Sequence, residues 1–266
     1  MKKFIAASLL LISLPSMSTE TLTFGIVPQQ SASRLAQHWG PLMEYLSEET
    51  QLNIEFSTAA DIPTFERRLA NGEYDLAYMN PYHYTVFSQK SGYQALAKAK
   101  NKQIKGILVT QKGRKSNDLQ QFDGETLAFP SPAAFAATLL TQSDLNLAGV
   151  TYQANYVSSH DSVYLAVAKG LYPAGGGVMR TFNAIPQSLR DQLEPVWVTQ
   201  PYTPHAIAYH SNIEPSKRQP ILEALERLDS TEEGQVILER LKIRGFIQAQ
   251  DSDWDDVRQL NIQVLK

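Results

Sequence analysis

The 266-residue sequence contains no cysteine. This absence excludes a disulfide framework, a thiol nucleophile, a cysteine-based zinc site and a lipid attached through cysteine. The sequence also has no excess of basic residues, since its formal net charge is −3. A chain with this charge balance is a poor match for a phosphodiester backbone, so we expect no nucleic-acid partner.

Sequence motifs typical of catalysis and nucleotide binding are also missing. No H-E-x-x-H, G-x-S-x-G or S-x-x-K pattern occurs. The glycine-rich stretch at 175–181, GGGVMRT, lacks the lysine of a P-loop and the spacing of a dinucleotide fingerprint. His205 and His210 have the closest metal-like spacing, but they would face opposite sides of one strand. We therefore expect no enzyme, catalytic residue, cofactor or metal site.

A long apolar run occurs only at the N-terminus. Lys2 and Lys3 precede an uncharged run at 4–14, and Pro15 and small residues follow it. This pattern is typical of a secretory signal peptide and is too short to span a membrane. We expect cleavage after Ser18 and export of a mature chain that does not insert into the membrane.

Strands and helices alternate in two halves of the chain. Each half places helical segments between strands, which is typical of a helix-flanked, mostly parallel sheet. Asp61 is expected to cap one of the helices in the first half. The predicted strands are 21–27, 52–58, 74–79, 125–129, 151–157 and one beginning at Tyr172, and the second half has helices at 133–142 and 161–169.

Extended segments separate the two halves and follow the second one, which indicates that the chain crosses between two lobes twice. These segments are 94–100, 105–111, 196–199 and 206–209. Amphipathic helices at 214–229, 232–241 and 253–262 would then complete the first lobe. The predicted division is a signal peptide at 1–18, a first lobe at 19–103, a second lobe at 104–200 and a return to the first lobe at 201–266.

The architecture predicts where a ligand binds. In open parallel sheets, ligands lie beyond the carboxyl ends of the strands, and two facing lobes would bring the loops 28–31, 80–84, 131–134, 158–161 and 175–181 to one cleft. The candidate ligand-binding residues are Gln29, Tyr78, Asn80, Tyr82, Tyr84, Ser131, Ser158, Ser159, His160, Gly176 and Arg180.

Each candidate residue type has a binding role and a structural role that the sequence leaves open. The tyrosines suit a site that desolvates a small polar molecule, or they pack in the core. Ser131 either binds the ligand or caps a helix. His160 stands at a helix start that favours anions, where we assign Asp161 the capping role. The glycines allow close approach of a ligand or of a neighbouring strand. Arg180 clamps an anion or forms a surface ion pair.

Two stretches resemble one family of transport proteins. GEYDLAYMNPYHY at 72–84 and SSHDSVYLAVAKG at 158–170 resemble periplasmic solute-binding proteins of the phosphate/phosphite/phosphonate transporters. The resemblance is strongest at 70–87 and 156–170. It implies an α/β type II periplasmic-binding-protein fold, in which each of two lobes is a helix-flanked, mostly parallel sheet and two crossing strands form the hinge.

The resemblance also implies a function. A protein of this family captures a small anion between its lobes in the periplasm and delivers it to an ABC transporter permease, and we expect such a chain to be a monomer. The alternative is a periplasmic sensing subunit that signals to a membrane histidine kinase or a chemoreceptor.

The sequence departs from the family in two places. The family's hydroxyl-rich loop is represented here by Ser131 alone, followed by Pro132. Aminophosphonate binders carry acidic residues near the segment that reads GGG at 175–177, and this chain has none there. An amine-bearing phosphonate is therefore not expected as the ligand.

Overall fold

A computed structural model of the protein describes residues 21–113 and 118–265. The predicted signal peptide at 1–18 lies outside the described residues. Within these ranges, no helix combines the length and the apolar character needed to cross a bilayer.

The described chain alternates strands and helices as the sequence indicates. The strands are β1 (Thr21–Ile26), β2 (Asn53–Ser57), β3 (Leu76–Met79), β4 (Tyr93–Ala99), β5 (Gly106–Gln111), β6 (Thr126–Phe129), β7 (Gln153–Tyr156), β8 (Gly175–Val178), β9 (Leu193–Val198), β10 (Ala206–His210) and β11 (Phe246–Gln248). The helices are α1 (Ala32–Thr50), α2 (Ile62–Ala70), α3 (Pro81–Lys90), α4 (Thr141–Leu147), α5 (His160–Ala168), α6 (Met179–Ala184), α7 (Gln187–Arg190), α8 (Pro215–Arg227), α9 (Glu232–Leu241) and α10 (Asp255–Arg258). Short 3₁₀ segments lie at Leu119–Phe122, Leu228–Ser230 and Asp251–Trp254, and a π-helical turn at Phe135–Leu140 leads into α4.

The strands form two sheets, one in each lobe. The first has the order β11-β4-β10-β3-β1-β2, in which β1 pairs in parallel with β2 and β3, and β10 runs antiparallel between β3 and β4. The second has the order β7-β6-β8-β5-β9, with β6 parallel to β7 and β8. The two-lobed α/β fold predicted from the sequence is confirmed.

Apolar side chains on the helices cover both sheets. Helix α1 buries Leu35, Trp39 and Leu42 against the first sheet. Helix α5 buries Val163 and Val167 in the core of the second lobe. The burial of these faces supplies the hydrophobic stabilisation that holds each sheet and its helices together.

The chain passes between the lobes in two segments that are hydrogen-bonded to each other. Ile104, between β4 and β5, forms an antiparallel bridge with Tyr202, between β9 and β10. Ile104 N donates to Tyr202 O over 2.8 Å, and Tyr202 N donates to Ile104 O over 2.9 Å. This pair of crossing segments is the hinge. The residue boundaries given above for the lobes stay a prediction.

Some local expectations are wrong. The segment 80–84, expected as a loop, is the start of α3, because Asn80 caps it by accepting from His83 N at 2.7 Å and Pro81 takes the first helical position. The strand expected to begin at Tyr172 begins at Gly175. The helix expected at 253–262 is reduced to the 3₁₀ turn Asp251–Trp254 followed by α10.

Candidate functional site

Several of the predicted site residues lie where the two sheets face each other. Gln29 follows β1 and Asn80 follows β3 in the first lobe. In the second lobe, Ser131 follows β6, His160 begins α5, and Arg180 follows β8 in the first turn of α6. All five positions lie at the carboxyl ends of strands or at the start of the next helix, which is where an open α/β sheet places its ligand.

The lobes are in direct contact across this cleft. Gln29 O accepts a hydrogen bond from His160 N at 3.0 Å, and its side-chain Oε1 accepts from Arg180. Asn80 Nδ2 donates to Ala133 O at 3.1 Å. Residues of both lobes are thus bonded to each other, and the structure represents a closed arrangement.

A small cavity with polar and apolar lining lies at the centre of the contact. Its volume is about 10 Å³, and its lining includes the side chains of Gln29, Asn80, His160 and His205. The backbone of 134–137, which opens the π-helical turn, forms another wall. Amides in a first helical turn have no partner within the helix, so this wall presents hydrogen-bond donors to the cavity.

Ser131 supplies a buried hydroxyl near this helix start. Its side chain is 2% exposed, and its Oγ has no hydrogen-bond partner among the described residues. The Ser131 carbonyl, in contrast, accepts from Thr138 Oγ1 at 2.7 Å. A buried hydroxyl without a partner costs free energy that a ligand oxygen would recover.

Arg180 is the main cation of the cleft. Its guanidinium lies 5.8 Å from the centre of the Tyr78 ring and bonds to Gln29. No carboxylate of the described residues forms a salt bridge with it. An arginine without an acidic partner leaves the cleft electropositive, which favours an anion.

This positive charge and the burial of the site keep two histidines neutral. Burial and, to a lesser extent, Arg180 lower the pKa of His160 to about 3. Burial followed by Arg180 also lowers the pKa of His205 well below its usual value. His160 Nδ1 lies 3.0 Å from Thr181 Oγ1, which leaves Nε2 as the ring atom available to a ligand.

A second and larger cavity adjoins the first. It has a volume of about 310 Å³, and it shares Ile104, Val178 and His205 with the small cavity. Tyr78 and Arg180 also line it. The cleft therefore consists of a narrow part and a wider part beside the hinge.

The start of α5 differs from the sequence expectation. Asp161 is not its cap: Ser159 is, since Ser159 Oγ accepts from Ser162 N at 3.1 Å. Ser158 precedes it with a φ of 75°. Asp161 instead reaches the first lobe, where it accepts from Ser31 N at 3.3 Å and pairs with Arg34 at 3.3 Å. The capping role belongs to Ser159 because a residue before the helix, with extended backbone, is needed for it.

Tyr82 and Tyr84 do not join the other candidates. Both lie on α3 and are buried against the C-terminal part of the first lobe. The Tyr82 hydroxyl accepts from Leu265 N at 2.8 Å, and the Tyr84 hydroxyl donates to Asp251 at 2.8 Å. Among the tyrosines named from the sequence, Tyr78 is the one that lines a cleft cavity.

The glycine run is a strand packed closely on both faces rather than a cleft loop. A Cβ at Gly176 would overlap the carbonyl oxygen of Ala137, and one at Gly175 or Gly177 would overlap the side chain of Val163 or Tyr164. The absence of side chains at 175–177 therefore lets the π-helical turn and α5 approach β8. Gly176 serves packing here, and it lines neither cleft cavity.

His205 belongs to the cleft although it is not among the ligand-binding residues predicted from the sequence. Its ring stacks on Tyr78 with 4.8 Å between centres, and its Nε2 lies 3.1 Å from Gln29 Nε2. It precedes β10, and the antiparallel pairing of Ala206 with Met79 places it beside the carboxyl end of β3. A prediction that β10 returns antiparallel would have revealed this position.

Comparisons with known proteins agree with this architecture. The binding-protein component of an ABC phosphonate transporter from Pseudomonas aeruginosa matches with a TM-score of 0.83 and 16% identity, covering 91% of this chain and 86% of that one. PhnD1 from Prochlorococcus marinus, solved in complex with methylphosphonate, matches with a TM-score of 0.83 and 18% identity, covering 91% and 98%. At this identity both show the fold alone.

Sequence comparison identifies the family. The phosphate-import protein PhnD of Mycolicibacterium smegmatis is 25% identical over 186 residues, which are 59% of this chain and 54% of that protein, so the match spans about half of the curated relative. The model of the periplasmic substrate-binding proteins of phosphonate ABC transporters matches residues 24–254. The chain belongs to this family of phosphonate ABC transporter substrate-binding proteins.

Proposed function

We propose that this protein captures a small phosphorus oxyanion (phosphate, phosphite or a simple phosphonate) between its lobes in the periplasm and delivers it to an ABC permease. The signal peptide predicted at 1–18 would direct export and be removed from the mature chain. The observation that carries the proposal is Arg180, a partly buried guanidinium at the lobe boundary that has no carboxylate partner among the described residues. Family membership supports the same conclusion.

The groups of the cleft suit the oxygens of such an anion. The Arg180 guanidinium supplies charge and several N–H donors in a planar fork. The Ser131 hydroxyl and the first-turn amides of 135–137 add neutral donors. His160 presents Nε2 to the same space, as a neutral ring that adds a directional contact rather than charge.

Capture requires the lobes to move. A cavity of about 10 Å³ holds about one water molecule, so an oxyanion enters only when the lobes separate around the hinge at Ile104 and Tyr202. An anion that contacts both lobes binds the closed form more tightly than the open form. It therefore shifts the population toward closure, the form that a permease would recognise.

A thermal-shift panel tests the binding step. The protein, purified without phosphate, is heated with phosphate, phosphite or methylphosphonate, and with chloride at matched ionic strength as the control. We expect at least one phosphorus oxyanion to raise the melting temperature, because a ligand that binds the native state stabilises it. Melting curves that coincide for all of these anions would contradict the proposal.

Delivery requires a separate test. Uptake of the stabilising anion by cells that carry the chain and its permease is compared with uptake by cells that lack this chain. We expect uptake to depend on the chain, since a permease of this class takes its substrate from the closed binding protein. Equal uptake in both strains would contradict delivery while leaving binding intact.

A further inference from the structure

The larger cleft cavity is too big for a bare oxyanion. Its volume of about 310 Å³ compares with roughly 30 Å³ of liquid volume for one water molecule, and it reaches the lower end of the range typical of organic-ligand sites. Both lobes line it, with Tyr78 and Ile243 on one side and Ile107 and Val198 on the other. Residues of both lobes therefore bound this space in the closed arrangement.

The charged groups of the larger cavity are all basic. Lys102, Lys105 and Arg180 line it, and no aspartate or glutamate does so in the described parts of the chain. Lys105 is exposed at the rim, whereas Lys102 is partly buried. The Lys102 ammonium donates to the carbonyl oxygen of Lys242 at 2.7 Å, a neutral acceptor.

Lys102 lies in a strongly electropositive setting. Burial, followed by Arg180 and Arg244, lowers the pKa of its ammonium to about 8. A nearby anion would reverse that effect, because an opposite charge stabilises the protonated form. The cavity thus has a second cationic group, apart from Arg180, whose charge no carboxylate of the described residues balances.

The two cavities adjoin, and two of the three residues that they share are apolar. Ile104 and Val178 line both of them, and the wider one adds Ile107, Met179 and Ile243. Such walls accept methylene groups better than they accept water or a charged group. Arg180 and Lys102 are thus two cationic groups on the wall of one cavity whose other lining is largely apolar.

We propose that the ligand is an organic phosphorus oxyanion whose short aliphatic substituent ends in a second acidic group, such as a carboxylate. The phosphorus head would lie between the lobes at Arg180, the methylenes beside Val178, and the terminal acid at the Lys102 ammonium. This inference rests on the proposed function, and it names the chemical class of the captured anion.

Three phosphonates that differ only in the terminal group test this inference by calorimetry at pH 7.5. They are propylphosphonate, 3-phosphonopropionate and 2-aminoethylphosphonate, in which an ethylene linker carries a methyl, a carboxylate or an ammonium group. We expect the dissociation constant of 3-phosphonopropionate to be lower than that of propylphosphonate by a factor of about ten or more. This is the scale of a charge-assisted hydrogen bond. We expect 2-aminoethylphosphonate to bind most weakly.

A lysine variant separates a specific contact from a general charge effect. In Lys102→Met, we expect the ratio of the two dissociation constants, propylphosphonate over 3-phosphonopropionate, to fall from about ten to about one. Lys112→Met is the matched control, because Lys112 is an exposed lysine that lines neither cleft cavity. The control should keep the wild-type ratio.

The outcomes distinguish this inference from the proposed function. Equal binding of the three phosphonates, or tightest binding of the amine, overturns the inference and leaves oxyanion capture in place. A ratio in Lys102→Met that equals the wild-type ratio also overturns it. If methylphosphonate, phosphate, phosphite and the three test phosphonates all fail to bind, the proposed function falls, and this inference falls with it.

Discussion

At the scale of single residues, the unpaired charge of Arg180 dominates the cleft. Its guanidinium contributes to the lowered pKa values of His160, His205 and Lys102. Its contacts to the protein are the amide oxygen of Gln29 and the face of Tyr78. Neither contact neutralises the charge, so an anion in the cleft is the partner that this side chain favours.

Replacement of Arg180 measures how much its side chain contributes to the affinity for an anion. We expect Arg180→Ala to weaken binding of the anion that the wild type binds by about 1.5–3 kcal/mol, the scale of a hydrogen bond to a charged group. Titration calorimetry measures the change. Arg190→Ala is the control, because Arg190 bonds to Asn183 O and Gln187 within the second lobe, away from both cavities. An affinity in Arg180→Ala equal to that of the control would remove Arg180 from the site.

The buried histidines make stability depend on pH. Their pKa values are lowered in the folded protein, to about 3 for His160, against an ordinary value near 6.5. The unfolded chain therefore binds protons first, and stability is full above pH 6.5 and is lost as the pH falls toward 3. We expect the unfolding free energy to fall by about 1.4 kcal/mol per pH unit for each such histidine.

Chemical denaturation between pH 6.5 and 5 tests this dependence. We expect His160→Gln to have a shallower slope of unfolding free energy against pH than the wild type, whatever its stability at pH 7. A slope that is the same in both proteins would show that folding does not lower the pKa of His160.

At this scale, the structure places some of the residues predicted from the sequence at the cleft. Arg180, His160 and Ser131 could be named because they follow strands or begin helices on the predicted cleft edge. Tyr82 and Tyr84 were predicted at the cleft but are buried on α3, because the sequence does not distinguish a ligand-binding tyrosine from one in the core. His205 was missed because its place depends on an antiparallel pairing between distant segments.

At the scale of elements, β8 is a strand that requires glycine. We expect Gly176→Ala to destabilise the protein by about 3 kcal/mol or more, the upper part of the range for overpacking, because its Cβ would meet the backbone of the π-helical turn. Gly40→Ala is the control, because a Cβ there meets nothing within 4 Å, and we expect a change of no more than about 1 kcal/mol. Thermal unfolding that is equally affected by both would contradict this role for β8.

The starts of α1 and α5 hold the lobes together. Asp161 at the start of α5 pairs with Arg34 at 3.3 Å and accepts from Ser31 N, both at the start of α1. We expect Asp161→Asn to favour the open form and to enlarge the ligand-free protein in solution scattering. Glu49→Gln is the control, because the pair of Glu49 with Arg227 lies within the first lobe. Identical radii of gyration for the two variants and the wild type would contradict an interlobe role.

Elements with strong local signals were predictable, and those set by packing were not. The strands β1, β2 and β3 and the Asp61 cap of α2 follow from apolar runs and capping residues. Helix α3 was not predicted because the pair Asn80-Pro81 is typical both of a turn and of the start of a helix. The π-helical turn and the strand at 175–178 arise from the mutual approach of backbones, which no local pattern encodes.

At the scale of the whole molecule, a chain with net charge −3 carries an electropositive cleft. Asp161, an acidic residue near the cleft, pairs with Arg34 rather than with Arg180. Local charge rather than net charge therefore sets the ligand class. Because each lobe supplies part of the candidate site, an anion that binds both parts favours the closed arrangement of the lobes about the hinge.

Capture of an anion between the lobes is tested most directly by native mass spectrometry. The protein is purified without phosphate and titrated with phosphate, phosphite, methylphosphonate and 3-phosphonopropionate. We expect at least one of these anions to add a single mass increment to each chain, and we expect Arg180→Ala to lose that increment at the same concentration. Capture between the lobes would be contradicted by a chain that gains no increment from any of them, or by an Arg180→Ala variant that retains the increment undiminished.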